Sequence, residues 1–138
     1  MVVIFMENFT NLLNQLKTKF PQFSFKNGKK FAYRPPKTII IGPYEHQAEL
    51  LLLHELGHAI IEKNAFKTDV ERLRIESEAW DKAKSLADNL KIPFDEDFAE
   101  NKLDSYRNWL HQRSLCKKCR LTRYQTEDGK YHCPHCDF

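Results

Sequence analysis

The sequence lacks any apolar run long enough to cross a membrane, and its first residues lack the features of a secretory signal. The stretch Met1–Phe9 has about six apolar residues, no basic patch before them and no small-residue cleavage site. A membrane-spanning helix needs about 20 such residues in a row. We therefore expect a cytoplasmic protein with no membrane partner.

Internal repeats and low-complexity tracts are also missing. A chain of 138 residues with 41% hydrophobic content can bury one modest core, with room for a small appendage. The chain has four cysteines, and in the cytoplasm these would be reduced or metal-bound rather than paired in disulfides. We predict two domains, residues 1–112 and residues 113–138.

Acidic residues are absent from one stretch that is rich in basic ones. Arg107–Arg123 contains six Lys or Arg and no Asp or Glu, whereas Asp69–Asp104 contains eleven Asp or Glu. This asymmetry indicates a separate C-terminal unit and makes an acidic partner, such as nucleic acid, a candidate for it.

Hydrophobic periodicity and turn residues predict the order of the elements. Asn27-Gly28, between two aromatic runs, predicts a β-hairpin. Thr68, followed three residues later by Glu71, predicts a capping box at the start of a helix. The predicted helices run from about residue 8 to 19, 44 to 63, 68 to 90 and 95 to 111, and a third, buried strand spans Thr38–Ile41.

The most apolar helix, around Leu50–Ile61, contains two histidines and a glutamate in the pattern HExxH. His54 and His58 are four residues apart, so both imidazoles project from one face of the helix and can bind one metal ion. Glu55 is rotated from His54 by about 100° and can take a proton from a water on that metal without being a ligand. Gly57 leaves room for a close backbone approach beside the site. The pattern predicts a catalytic metal site.

A catalytic zinc ion generally takes a third protein ligand. The next helix offers Glu71, Glu76 and Glu78. Helical geometry leaves the choice open, although Glu76 lies slightly nearer the apolar stripe of that helix than Glu78 does.

HELGH followed by nineteen residues and then Glu78-Ala79 resembles the gluzincin arrangement of HExxH metallopeptidases. The span HELGHAIIEKN to ESEAWDKAKSLA is more specifically similar to the ImmA/IrrE family of small cytoplasmic metallopeptidases. That family often carries Glu-x-Glu-Ala-Asn, and this chain has Trp80 in place of the asparagine. The resemblance implies Glu78 as the third zinc ligand, with Glu76 as the alternative.

The resemblance covers about residues 20 to 90 and implies an α+β fold, a minimal zincin-like domain with a small sheet packed on the active-site helix. An edge strand of that sheet, FAYRP or TIIIG, would let an extended peptide add on. The implied activity is a zinc-dependent endopeptidase that cleaves a specific intracellular protein, such as a repressor. Tyr106, Tyr44 and His111 are candidates for stabilising the oxyanion.

Two Cys-x2-Cys pairs, Cys116 with Cys119 and Cys133 with Cys136, are separated by thirteen residues. Four thiolates at this spacing suit one structural zinc ion, and the tail resembles a zinc ribbon. A redox pair and disulfides are the competing interpretations, and His132 or His135 could replace a thiol. We therefore predict two zinc ions, one catalytic and one structural.

A metallopeptidase with a C-terminal ribbon also resembles the SprT-like proteins, which act near DNA. The match is weaker, because those proteins use a third histidine downstream of HExxH, and here His111, His132 and His135 lie far off or within the ribbon. The alternative to an enzyme is a non-catalytic or latent zinc protein that binds DNA or a protein through its ribbon. An intact Glu55 argues against it, since a purely structural metal site needs no base.

Overall fold

A computed structural model of the chain describes the backbone of residues 2–137 and the side chains of residues 7–137. Within that span the chain forms four α-helices and two small β-sheets, and the α+β class is confirmed at this level. None of the helices in that span is both long and apolar enough to traverse a membrane. The elements are α1 (Val2–Lys19), β1 (Ser24–Asn27), β2 (Ala32–Arg34), β3 (Thr38–Ile41), α2 (Ala48–Ile61), α3 (Asp69–Leu90), α4 (Glu96–Ser114), β4 (Tyr124–Gln125) and β5 (Tyr131–His132).

Contacts along the backbone divide the chain into two compact units. The first unit comprises the residues up to Glu62 together with Ala79–Phe94, and the second comprises Lys63–Glu78 together with the residues from Asp95 onward. Helix α3 contributes residues to both. The division into residues 1–112 and 113–138 stays a prediction.

Strand β3 is the centre of the three-stranded sheet in the first unit. The order is β1-β3-β2, with β1 parallel to β3 and β2 antiparallel to it. Ile39, Ile40 and Ile41 are all buried. A central strand that is covered on both faces is a continuous apolar run, which is the pattern of TIII. TIIIG therefore provides no free edge, whereas β2, within FAYRP, is an edge strand.

The predicted hairpin at Asn27-Gly28 is wrong, because β3 lies between β1 and β2. Gly28 has another role: its N–H donates to the carbonyl of Ile41 at 2.8 Å, and an added Cβ would collide with Cγ2 of Ile40. The hairpin lies one connection later, between β2 and β3, around the cis Pro35-Pro36 bond. There the hydroxyl of Tyr33 donates to the carbonyl of Pro36 at 2.8 Å.

Helix α2 is covered on almost every side. Its buried residues include Leu50, Leu52, Leu53 and Leu56, and it packs on β2, β3 and α1. It begins at Ala48 rather than at the predicted Tyr44, because Gln47 takes a left-handed conformation with φ 60° at its N-terminus. Helix α1 presents the buried stripe Phe9, Leu12 and Leu16. The helix with the HExxH pattern is thus at the core of its unit.

Helices α3 and α4 begin at side-chain caps, and the cap of α3 at Thr68 was predicted. Thr68 Oγ1 accepts from the N–H of Glu71 at 3.3 Å, and Glu71 Oε2 accepts from the N–H of Lys67 at 3.2 Å. Asp95 Oδ1 accepts from the N–H of Phe98 at 3.1 Å. Helix α4 extends to Ser114, three residues beyond the predicted His111.

Asp69, at the first turn of α3, joins that helix to α4 and to the cysteine-bearing segment. Its buried carboxylate accepts from Arg113 Nε at 2.7 Å and from the hydroxyl of Tyr131 at 2.5 Å. Its own N–H donates to Gln125 Oε1 at 2.7 Å. Burial alone would raise the pKa of Asp69, but these hydrogen bonds outweigh it and the pKa is lowered.

Candidate metal centres

Helix α2 brings the donor atoms of His54, Glu55 and His58 together. The ligand atoms of these three residues all lie within 4.8 Å of one another. The two imidazole rings are 4.6 Å apart between centroids with 67° between their planes, as an i, i+4 pair on one helical face predicts. Both histidines are buried. This arrangement could hold a metal ion.

The carboxylate of Glu55 lies beside His54 at the edge of this group. Its Oε1 is 3.5 Å from Nδ1 of His54, and its side chain is 15% exposed. It therefore reaches solvent more readily than the fully apolar residues of α2. A carboxylate in this position can exchange a proton with a nearby water.

Trp80 covers one face of His54, a contact that the sequence did not predict. The indole and imidazole rings are stacked, with 4.3 Å between centroids and 10° between planes. Trp80 is 3% exposed, and Phe94 meets its ring at 6.3 Å edge to face. The tryptophan comes from α3, so sequence spacing alone could not reveal the pair.

The three glutamates proposed as a third ligand differ in their surroundings. Glu71 is occupied as a cap, since its Oε2 accepts from Lys67. Glu78 is exposed, whereas Glu76 is 9% exposed. Glu76 also bonds the hydroxyl of Tyr106, whose pKa is raised by burial first and then by the charge of Glu76. The identity of the third ligand stays a prediction.

The candidates for the oxyanion donor have contacts of their own. Tyr44 meets Phe9 edge to face, and its pKa is raised by burial and then by Glu49. Tyr106 bonds Glu76, as above. His111 is exposed on α4, where its carbonyl accepts from Ser114 Oγ at 2.7 Å. The assignment of an oxyanion donor stays open among them.

The four cysteines form a compact cluster whose sulfur atoms all lie within 4.8 Å of one another. Cys116 Sγ is 3.8 Å from Cys136 Sγ, and Cys119 Sγ is 3.6 Å from Cys133 Sγ. Sulfur atoms bound tetrahedrally to zinc at about 2.3 Å are separated by roughly 3.8 Å. A disulfide would require about 2.05 Å. The four thiols are free, and together they could hold one metal ion.

Backbone amides point at one of these sulfurs. Hydrogen bonds from the N–H groups of Cys119 and Lys118 lower the pKa of Cys116 to about 6. The pKa of Cys136 is instead raised to about 12, first by its hydrogen bond with Cys119 and then by burial. Cys116 is therefore ionised more readily than Cys136, and a bound cation would favour ionisation of the Cys136 thiol.

The histidines near the cluster have other contacts. His132 stacks on Tyr124 at 5.5 Å and lies 3.4 Å from Thr126 Oγ1. His135 Nδ1 lies 3.7 Å from Cys136 Sγ. Of the described residues in this segment, the donor group contains the four cysteines and neither histidine. The chemistry of this set fits one metal ion held by thiolates alone.

Comparison with known proteins leaves the chain to be interpreted from its own residues. No family model, no curated protein and no solved structure matches it. The similarity to the ImmA/IrrE family therefore remains a resemblance of motifs.

Proposed function

We propose that this chain is a zinc-dependent endopeptidase with a minimal zincin-like domain and a C-terminal zinc ribbon. Its substrate would be a specific intracellular protein, such as a repressor, as the ImmA/IrrE resemblance implies. The observation that supports this most is the grouping of His54, Glu55 and His58 within a buried helix.

The chemistry of this group supports a metal site. His54 and His58 lie on a helix that also buries Leu52, Leu53 and Leu56. Two imidazoles, completed by a carboxylate from elsewhere in the chain, are a donor set that zinc takes in catalytic sites. A zinc ion would bind His54 and His58 together.

The roles of the residues follow from their positions. When bound, zinc lowers the pKa of a water to about 7 and polarises a carbonyl oxygen. Glu55, which is partly exposed beside His54, would accept the proton from the attacking water. It would then return that proton to the leaving amine of the cleaved peptide.

Glu78 is the third ligand that the resemblance implies, and Glu76 is the alternative. Glu76 is buried and bonds Tyr106, whereas Glu78 is exposed. Neither belongs to the donor group of His54, Glu55 and His58, so metal binding by variants of both residues is the test.

The free edge of β2 would accept the substrate. It packs on α2, so a peptide that adds to it would run beside the helix with the HExxH pattern. Such a peptide would gain main-chain hydrogen bonds along the strand. The four-cysteine site would hold a structural zinc ion and stabilise the fold without taking part in catalysis.

A Glu55→Gln variant tests the proposed peptidase activity. The amide is nearly the same shape as the carboxylate but cannot accept a proton, so metal binding should persist while cleavage falls by roughly 10²–10⁴-fold or more. The inactive variant serves as bait in cells, and captured proteins are then offered to the wild type. Glu62→Gln, at the exposed end of the same helix, is the matched control. Equal cleavage by Glu55→Gln and wild type would exclude the proposed mechanism.

A second candidate function is a nucleic-acid-binding module, whether or not the first site is catalytic. Tyr124 is 57% exposed and stacks on His132, and Lys117, Lys118 and Arg120 are exposed nearby in sequence. Exposed aromatic rings beside basic residues suit single strands, because bases stack and phosphates pair with the charges.

Fluorescence polarisation with a labelled single-stranded oligonucleotide tests this candidate. Tyr124→Ala should weaken binding by about 1–3 kcal/mol. Lys117→Gln should lower the salt slope by about one unit. Lys63→Gln, in a different segment, should leave both unchanged. An affinity that changes neither on replacement of Tyr124 nor with salt concentration would exclude the nucleic-acid-binding function.

A further inference from the structure

The contact between Trp80 and His54 joins two helices at the histidine site. The two rings are nearly parallel, with 10° between planes and 4.3 Å between centroids. Both side chains are buried. The indole therefore covers one face of the imidazole and shields it from water.

The backbone fixes this pair in place. An added Cβ at Gly57 would lie 2.5 Å from the carbonyl oxygen of Ala79, so α2 and α3 touch here without an intervening side chain. Trp80 follows Ala79 directly, and His54 is one turn before Gly57. Phe94 also contacts the indole, edge to face, with 6.3 Å between ring centroids. Trp80 thus has little freedom to leave the imidazole.

A stack over the ring face has a specific consequence for metal binding. An imidazole binds a metal through a nitrogen lone pair in the plane of the ring, and that plane is left open by a partner above it. The same partner hinders rotation of the ring about the Cβ–Cγ bond. Groups that fix the orientation of a ligand typically contribute 10–100-fold to metal affinity.

We propose that Trp80 is a positioning residue for the metal ion of the histidine site: its indole holds the imidazole of His54 in the plane that the metal requires. The inference rests on the proposed function, since it needs a metal ion at His54 and His58. Trp80 is also the residue at which the chain departs from the asparagine of the resembled signature. At this position the chain carries an aromatic ring that touches a ligand.

Cobalt titration of the full-length apoprotein tests the inference, because Co²⁺ gives separate absorption signatures for thiolate and histidine sites. Wild type should bind two equivalents. Trp80→Leu should lose about 10–100-fold in affinity at the histidine site and keep the thiolate site unchanged. Trp80→Phe retains a stacking ring and should recover most of that affinity. Phe9→Leu, another buried aromatic position of the same unit, controls for a general loss of packing.

Intrinsic fluorescence gives a readout that does not depend on removing Trp80. The chain has two tryptophans, so Trp109→Phe leaves Trp80 as the single emitter. Its emission should be quenched along the binding curve of the histidine site and not along that of the thiolate site. This measurement keeps the inference testable if Trp80→Leu does not fold.

The possible outcomes distinguish a failure of the proposed function from a failure of the role of Trp80. A wild type that binds cobalt through thiolates alone contradicts the proposed function. A wild type with two sites, together with a folded Trp80→Leu variant of unchanged affinity, contradicts the role of Trp80 alone. Quenching that follows the thiolate site also contradicts that role. Selective loss in Trp80→Leu with recovery in Trp80→Phe supports it.

Discussion

Gly57 of α2 and Ala79 of α3 meet backbone to backbone, since a Cβ at Gly57 would lie 2.5 Å from the carbonyl oxygen of Ala79. The sequence suggested that Gly57 leaves room for a close approach beside the histidines. The structure shows which backbone approaches it. Trp80 follows Ala79 directly, and at this contact between the two helices its ring stacks on His54.

Gly57→Ala should therefore destabilise the protein by about 1–3 kcal/mol, the usual cost of overpacking. In an exposed helix the same change would stabilise by about 0.5–1 kcal/mol. Denaturant unfolding of the metal-loaded protein measures the difference. Ser85→Ala, at an exposed position of α3, is the control and should have little effect. A Gly57→Ala variant as stable as wild type would show that the helices can separate at no cost.

The purified protein should contain two zinc ions that differ in their resistance to chelators. The four-thiolate site is closed and should retain its ion, whereas the histidine site should empty first. Metal analysis before and after a mild chelator gives the two fractions. Replacement of Cys116 and Cys133 together should remove one equivalent. A single equivalent that survives this replacement would exclude the ribbon site.

Glu78→Gln changes the residue that the gluzincin resemblance implies as third ligand, and it should weaken metal binding at the histidine site by tenfold or more. Glu76→Gln should leave that binding within about threefold. Competition between zinc and a fluorescent chelator measures both. The reverse result would assign Glu76 as the ligand.

Asp69→Asn should reduce the free energy of unfolding by about 1.5–3 kcal/mol, because it weakens charged hydrogen bonds to a buried group. The exposed pair of Asp104 and Arg107 provides the control, and Asp104→Asn should cost less than about 1 kcal/mol. The folded pKa of Asp69 is lowered, so its contribution is complete above the unfolded pKa of about 3.9 and is lost as the pH falls through the folded value. Equal losses of stability in the two variants at pH 7 would show that the buried hydrogen bonds of Asp69 contribute no more than the exposed pair.

Metal affinity at the cysteine site should rise with pH. The pKa of Cys136 is raised to about 12, so near neutrality its thiol must release a proton when a metal binds. Below about pH 6 the Cys116 thiolate is protonated as well, and affinity should fall more steeply there. The thiolate-to-cobalt absorption band, followed across this range, gives the curve. A flat profile would contradict binding through four thiolates.

Local signals predicted the helices and the donor groups well. The cap at Thr68 and the i, i+4 placement of His54 and His58 depend on neighbours within one turn, so the sequence contains them directly. The Cys-x2-Cys pairs are equally local. Thirteen residues separate the two pairs, so only the structure could show that the pairs lie next to each other.

Contacts between distant segments were the ones that the sequence did not predict. Asn27-Gly28 is a strong turn signal, but Gly28 instead packs closely against Ile40. The buried strand β3 occupies the centre of the sheet, between β1 and β2. The contact of Trp80 with His54 was not predicted either, because the partner of Trp80 lies on another helix. The role of Asp69 was likewise not predicted, because its hydrogen-bond partners are distant in the sequence.

Asp69 bonds Arg113, Gln125 and Tyr131, which lie 44, 56 and 62 residues further along the chain. A ribosome adds roughly 5–20 residues per second, so the first turn of α3 waits roughly 3–12 s for its last partner. The residues of the first unit all precede Asp95, whereas the cysteine cluster begins at Cys116. A newly made chain therefore contains every residue of its histidine-bearing unit before its cysteines can meet.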